Sequence, residues 1–563
     1  MSSPTLELLR LPIFKVTPGD SVDHEKVHLS YQRAAAIVKA YGMTAIDVLQ
    51  CTEKFWTFHL DLIGTVDFAT FTIMTIQLNL AAGTLSPFTE KQPQYRELLD
   101  KILKFEISAQ YMVAEVGHGV DAKNLETTAT MLTTGEFDLH TPSPSGAKIM
   151  PSSFPLKGFP RVAMVFAQLI VSGENRGIRP FITWLSDGNE MFEGVTSKLL
   201  PRRAASKPLD HAITSFNHVR LPHSALLGTL DKPKDMRKHF LSTIWRIAIG
   251  TLGLTLTMVP VMKRCVYVAG KYSQRRHILG PDQKPKPIIS FRTQHAPILH
   301  GLAQIFVFEA YAQKSIQYFQ DPSLTDPVQH AIAASLKAVL SKACQTCLFN
   351  LSERCGAQGL FEHNHIIESM LETRGISIAE GDTLVLSIRL TSELLLNRYK
   401  MPPPKNPTSY LAKHEQGLLD ELRRMTKANS GGHRGEDFDR LILPRSQDFV
   451  HAIGCRIAYE AAVDAGVNTD LVALYESGVM LQDQSWFVQH ASLTREHMYQ
   501  IEAERLSAVL PRLDRLLDET GAGPYCTAPI ISQALWDQFV DQLETKTGNG
   551  KANIGLSSSR ARL

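Results

Sequence analysis

The sequence offers no disulfide framework. Its seven cysteines, at positions 51, 265, 344, 347, 355, 455 and 526, are scattered and odd in number, which points to reduced thiols in an intracellular compartment. It has no marked excess of charge: a formal +3 over 563 residues gives no basic footprint for nucleic acid. Long apolar runs are absent too. The most apolar stretch, IAIGTLGLTLTMVPVM between Arg246 and Lys263, falls short of the roughly 20 residues of a membrane span and contains Pro260 and several threonines, so it reads as a buried bundle helix. MSSPTLELLRLPIF has no basic region leading into a long apolar one, and neither a secretory signal nor an anchor is expected. No fixed-period repeat is present. A single CxxC, Cys344 and Cys347, has Cys355, His363 and His365 downstream but no second pair, and it sits in a helix-like apolar run. Helix packing is expected there, with no metal site.

What is there suffices for several cores. Apolar spacing predicts helices from about 28 to 103. From about 105 to 228 the pattern changes to short strands broken by Pro and Gly, among them RVAMVFAQLIVSG and GIRPFITWLS. Helical periodicity returns from about 234 to 400, over Ile244 to Tyr272, Ala296 to Phe319, Pro327 to Cys355 and Leu384 to Tyr399. The proline-rich MPPPKNPTS, 401–409, breaks the chain before a second helical region reaching about Thr547. The reading is α+β, mainly α. It comprises an N-terminal helical domain (1–104), a β-barrel or sandwich domain (105–230), a C-terminal four-helix bundle (231–400), a second C-terminal helical domain (401–550) and a tail (551–563).

The most informative string is YMVAEVGHGVDAKNLETTAT, residues 111 to 130. Gly117 and Gly119 let backbone approach a ligand. The whole string resembles the flavin-edge segment of the acyl-CoA oxidases, the peroxisomal branch of the acyl-CoA dehydrogenase superfamily, in which a Glu-x-Gly-His-Gly turn precedes Leu-Glu-Thr-Thr-Ala. The domain order matches that family as well. The resemblance implies an FAD-dependent enzyme that desaturates an acyl-CoA thioester between its α and β carbons, passes electrons to O2 to give H2O2, and works as a homodimer.

Such chemistry needs a carboxylate base in a water-poor slot. GISIAEGDTLVL, 375–386, supplies Glu380, Gly381 and Asp382 ahead of an apolar helix. Read by itself, this is a helix start capped by Asp382 or Thr383; capping does not require Glu380. The resemblance makes Glu380 the catalytic base, with its backbone N–H helping to hold the thioester oxygen. It also assigns cofactor contacts to Ala114, Ser152, Ser153, Arg276, Gln294, Gly356, Gly359, Asp382 and Thr383, and substrate contacts to Gly119, Val120 and Ala379. Arginine suits phosphate because its planar fork binds oxygens in pairs; in the family this arginine often comes from the neighbouring subunit. SERCGAQGLF, 352–361, reads equally as a helix C-cap.

Departures from the family pattern are informative. Its Gln-Thr-Glu threonine is Ala114, its Lys-Trp-Trp-Pro-Gly-Gly is Lys148, Ile149, Met150, Pro151, Ser152 and Ser153, and the aromatic before the glutamate is Ala379. Bulk is removed around the reacting carbons, so a widened pocket for a branched, cyclic or polyketide-like acyl group is expected. A dehydrogenase using a protein acceptor and a non-catalytic scaffold are the competing readings. Ala561, Arg562 and Leu563 resemble the Ser-Lys-Leu peroxisomal address, which implies a peroxisomal enzyme and an import receptor as partner.

Overall fold

The structure, a computed structural model, describes residues 23–156, 158–205, 208–428 and 431–548; the tail with its C-terminal tripeptide lies outside these. The fold is mainly helical with one β-region, the class expected from sequence. N-terminal helices α1 (His24–Tyr41), α2 (Ala45–Gln50), α3 (Glu53–Leu60), α4 (Phe68–Thr75), α5 (Gly83–Leu85) and α6 (Tyr95–Leu103) are followed by nine strands. A π-helical segment, Ile76–Ala82, joins α4 to α5; such segments often mark functional positions.

Strands β1 (Ser108–Met112), β2 (Thr128–Met131), β3 (Phe137–His140), β5 (Arg161–Val171), β6 (Glu174–Ser186) and β9 (Val219–Leu221) form a six-stranded sheet. Strands β4 (Lys148–Ile149), β7 (Val195–Leu199) and β8 (Ala212–Phe216) form a second sheet. In the first, β5 is the spine. It pairs in parallel with β1 (Ser108 opposite Arg161) and β2, and antiparallel with β6. Its nearly continuous apolar run serves two faces, as side-chain alternation requires. Ala163, Val165, Ala167 and Leu169 join Phe137, Phe181 and Phe216 in the core between the sheets, whereas Val162, Met164 and Phe166 turn toward the helices. Tyr111 of β1 lies on that helix-facing side, its ring 4.6 Å from Phe166.

The following helices are α7 (Met236–Thr243), α8 (Trp245–Leu256), α9 (Met258–Arg275), α10 (Arg292–Gln320), α11 (Asp326–Arg354), α12 (Ile366–Ile378) and α13 (Thr383–Leu395). The segment expected as one helix from Ile244 to Tyr272 is two, divided at Thr257. There the Thr257 hydroxyl donates to the carbonyl of His59 at 3.1 Å. Two stretches, Phe68–Phe88 and Trp245–Arg275, are long and apolar enough to cross a membrane by composition, but 89% and 83% of their apolar windows are packed inside the fold. A short hairpin, β10 (His277–Leu279) with β11 (Pro285–Pro287), was not foreseen. Helices α14 (Tyr410–Ala428), α15 (Ser446–Asp464), α16 (Thr469–Met480), α17 (Gln484–His490), α18 (Arg495–Val509), α19 (Leu513–Glu519) and α20 (Gln533–Asp541) complete the chain. Cys344 and Cys347 are buried in α11, and Cys347 Sγ packs against Gly301 of α10. No cluster of metal-ligating side chains occurs among the described residues.

Candidate active site

Glu380 sits in the turn between α12 and α13, with a left-handed backbone (φ 52°) followed by Gly381 at φ 97°. A non-glycine residue in that region is strained by about 1–3 kcal/mol, and the surroundings hold it there. Lys337 of α11 is fully buried and donates from Nζ to the carbonyls of Ala379 and Gly381, 2.6 Å each. Thr251 of α8 donates to the carbonyl of Glu380 itself at 2.6 Å. Three consecutive carbonyls are thereby fixed. Beyond them Asp382 Oδ1 accepts from the N–H groups of Leu384 and Val385 (3.0 and 3.2 Å). This is the expected cap, on a helix that starts one residue earlier than read. Thr383 Oγ1 donates to the carbonyl of Ser377 at 2.9 Å.

The Glu380 side chain enters the interior. Although the residue as a whole is half-buried, Oε2 is out of solvent and has no hydrogen-bond partner among the described residues. Burial pushes the carboxyl up to about 8, opposed by the cations of Lys337 and Arg246; loss of hydration disfavours the charged form. Desolvation likewise lowers Lys337 to about 8. The carboxylate occupies the space over Gly250 of α8, where an added β-carbon would lie 1.3 Å from Oε2 and 2.7 Å from Nδ2 of Asn79. Arg246, one turn earlier on α8, and Tyr111 complete the surroundings. Burial raises the Tyr111 phenol, as does the nearby Glu380 charge. Next to the turn, Thr251 and Gly381 border an apolar cavity of about 110 Å³ lined also by Ile247, Ala248, Leu386 and Leu390.

The β-side residues lie on the segments that follow β1 and β4. Glu115 and Lys148, both wholly inaccessible, form an ion pair at 2.8 Å. The Glu115 carboxylate also accepts from the backbone of Glu126 and Thr127 and from the Thr127 hydroxyl. The acidic residue of the glycine turn is thus a structural pin. Ala114 accepts at its carbonyl from Ile149 N–H at 3.1 Å. Ser152 N–H donates to Gln110 at 3.1 Å, Ser152 Oγ lies 3.4 Å from His211, and Ser153 Oγ is 2.6 Å from Thr214. Gly117 packs on its own chain, with Ser145 Cβ 2.9 Å from where a β-carbon would stand, whereas the space beside Gly119 is open. Val120 and Ala379 are exposed.

The remaining predicted residues form a separate group. Gln294 donates to Ser273 and to the carbonyl of Arg354, 2.8 Å each. Gly356 is left-handed (φ 57°) with open space beside it, and Gly359 has the Ser352 carbonyl 2.1 Å from any β-carbon; Arg276 is exposed just after α9. These residues gather at the C-terminal end of α11, roughly 25 Å along its axis from Lys337. Within one chain they do not meet Glu380. Sequence reasoning missed Arg246, Lys337, Thr251, Tyr111 and Asn79; Arg246, Thr251 and Lys337 act on partners far away in the sequence.

Comparison with known proteins agrees with this architecture. A family model described as "Acyl-CoA oxidase, C-alpha1 domain" matches residues 250–395. Peroxisomal acyl-coenzyme A oxidase 2 of Oryctolagus cuniculus is 26% identical over 443 residues, 73% of this chain and 62% of its own. The alignments span 53–62% of the length of the first such curated relatives. Among solved structures, acyl-CoA oxidase 1 of Yarrowia lipolytica superposes with a TM-score of 0.79 at 18% identity, covering 97% of this chain and 90% of that one. Acyl-CoA oxidase-1 of Caenorhabditis elegans, solved with FAD and ATP, gives 0.70 at 16% identity over 92% and 90%.

Proposed function

We infer that this chain, which belongs to the acyl-CoA oxidase family, desaturates an acyl-CoA thioester in the peroxisome with Glu380 as the base that removes the α-proton. The observation that carries the reading is Glu380: its Oε2 is out of solvent with no hydrogen-bond partner among the described residues, and its left-handed turn is held by Lys337 and Thr251. Few structural roles reward such an arrangement, and strained, perturbed carboxylates concentrate at active sites.

A base near its working pKa accepts a proton without being permanently protonated. Exclusion of water raises the proton affinity of Glu380, and the cations of Lys337 and Arg246 keep it from rising further. The Glu380 backbone N–H is the group assigned to the thioester oxygen as negative charge builds there. FAD, when bound, supplies the acceptor for the β-hydride and the route to O2 that yields H2O2. Ala114 offers only a methyl group and Gly119 leaves open space, while Ser152 and Ser153 are small and lie buried against His211 and Thr214. Ala114, Ser152, Ser153, Asp382 and Thr383 would hold the ring end. Arg276, Gln294, Gly356 and Gly359, remote from Glu380 in one chain, would hold the phosphate end from a second copy in a homodimer. The acyl chain would run past Gly119, Val120 and Ala379, where the lost aromatics leave room for a bulky group. Import would use the C-terminal tripeptide and its receptor.

Anaerobic titration of the FAD-loaded protein with a panel of acyl-CoA esters tests this. Bleaching of the flavin band in the native protein, its loss in Glu380→Gln, and peroxide formation in air are the expected results. A protein that neither retains FAD nor bleaches with any ester would overturn the reading.

A further inference from the structure

Around Glu380 the structure gathers buried polar atoms that have no partner among the described residues. Arg246 is 7% exposed; its Nε and Nη1 donate to the carbonyls of Asn79 (2.8 Å) and Val48 (3.0 Å), and Nη1 also lies 3.6 Å from the Cys51 sulfur. Its Nη2 is left without an acceptor, and no carboxylate among the described residues forms an ion pair with it. Asn79, fully buried in the π-helical segment, donates to the Arg246 carbonyl at 3.2 Å and leaves Oδ1 unpaired. The Tyr111 hydroxyl, on a side chain buried from the β side, is also unpaired. Asn79 and the Glu380 carboxyl crowd the same point over Gly250, Arg246 Nη2 lies beside Gly83, one turn on from Asn79, and the charge of Glu380 reaches both Arg246 and Tyr111.

A buried cation without an ion-paired carboxylate is costly, and each buried donor left unpaired adds to that cost. A slot built for a hydrocarbon chain would place Leu, Val or Phe at these positions. Arg246 and Lys337 both lie close enough to Glu380 to act on its charge, and a cation with a free donor is complementary to an oxygen acceptor.

We propose that the acyl group of the substrate carries an acceptor oxygen, a ketone or carboxylate a few carbons from the thioester, which takes hydrogen bonds from Arg246 Nη2 and the Tyr111 hydroxyl. This rests on the acyl-CoA reading above and deepens it from size to chemistry. A site that hydrogen-bonds a substrate oxygen discriminates strongly against the analogue lacking it, because its own buried groups are then left unpaired.

Three five-carbon esters separate the possibilities: pentanoyl-CoA, 4-oxopentanoyl-CoA and glutaryl-CoA. Calorimetric titration into FAD-loaded Glu380→Gln protein, which binds without turnover, is expected to give at least about tenfold tighter binding for one oxygenated ester than for pentanoyl-CoA. Which of the two wins tells ketone from carboxylate. Adding Arg246→Met should erase that preference, bringing the oxygenated esters to the affinity that pentanoyl-CoA shows in the same protein. If Arg246→Met does not fold, Tyr111→Phe, which keeps the ring, should reduce the preference. Equal affinity for all three esters, or a preference that survives these changes, overturns the proposal; so does a loss in Arg246→Met shared by all three, which would assign the arginine to the thioester. Pentanoyl-CoA bleaching native flavin in that case leaves the desaturase reading standing, whereas binding of none of the esters removes both.

Discussion

The hydroxyl of Thr251 donates to the backbone carbonyl of Glu380 at 2.6 Å, tying the middle of helix α8 to the residue before a left-handed glycine. Lys337 holds the carbonyls on either side. The two anchors differ in kind: one positions only, while the other also brings a charge. Thr251→Val should cost about 1–2 kcal/mol of stability through the lost bond and lower kcat roughly tenfold through misplacement of the base, with the pH profile unmoved. Lys337→Met removes a cation that lowers the Glu380 proton affinity, so the acidic limb of kcat/KM should shift to higher pH as well. Identical profiles in the two variants would reduce Lys337 to a scaffold.

The same carboxyl links pH to stability. Its folded value, about 8, lies above the ordinary glutamate value of 4.5, so the folded state holds the proton more tightly than the unfolded one. That contribution is fully present below about 4.5 and is lost as pH rises through about 8, a change on the order of a few kcal/mol. Glu380→Gln has no proton to lose. Thermal unfolding of the flavin-free protein should show the variant gaining Tm over the native chain between pH 5 and pH 8.5, and a constant difference would refute the buried-acid picture.

Away from the base, the Glu115–Lys148 pair fixes the segments carrying Ala114 and Ser152. Lys148 is lowered to about 8 by desolvation and kept from falling further by Glu115. Lys148→Met leaves a buried carboxylate without its cation and should cost about 3–5 kcal/mol. Glu115→Gln combined with Lys148→Met should recover part of that loss, as a urea-unfolding cycle would report. Additive losses would show that the two residues do not act as a pair.

Much of this was legible in the sequence because it is local. The apolar run of β5 announced a strand, Asp382 announced a helix start, and the cysteine pair announced packing. What was hidden spans long separations. Arg246 reads as the polar edge of an apolar helix, yet it grips carbonyls at Val48 and Asn79. Lys337 reads as one more cation in a helical pattern, and only the packing of α11 against the α12–α13 turn shows it to be buried. The division at Thr257 depends on a carbonyl from α3. Periodicity reports which face is buried; it cannot report which distant polar group meets it there.

Gly250 brings these threads together. Alanine in place of glycine inside a helix is ordinarily stabilising by about 1 kcal/mol, and the backbone of α8 there is plain helix. The added methyl, however, would stand 1.3 Å from the Glu380 carboxylate. The obstructing groups are the ends of two side chains, Glu380 and, at 2.7 Å, the Asn79 amide, so the carboxyl should swing aside and the amide give a little while the fold survives. Gly250→Ala is therefore expected to unfold within about 1 kcal/mol of the native protein and to retain FAD, yet lose at least about a hundredfold in kcat because the base no longer faces its proton. Full activity in a stable Gly250→Ala protein would mean that the Glu380 carboxyl does not work from the position seen here.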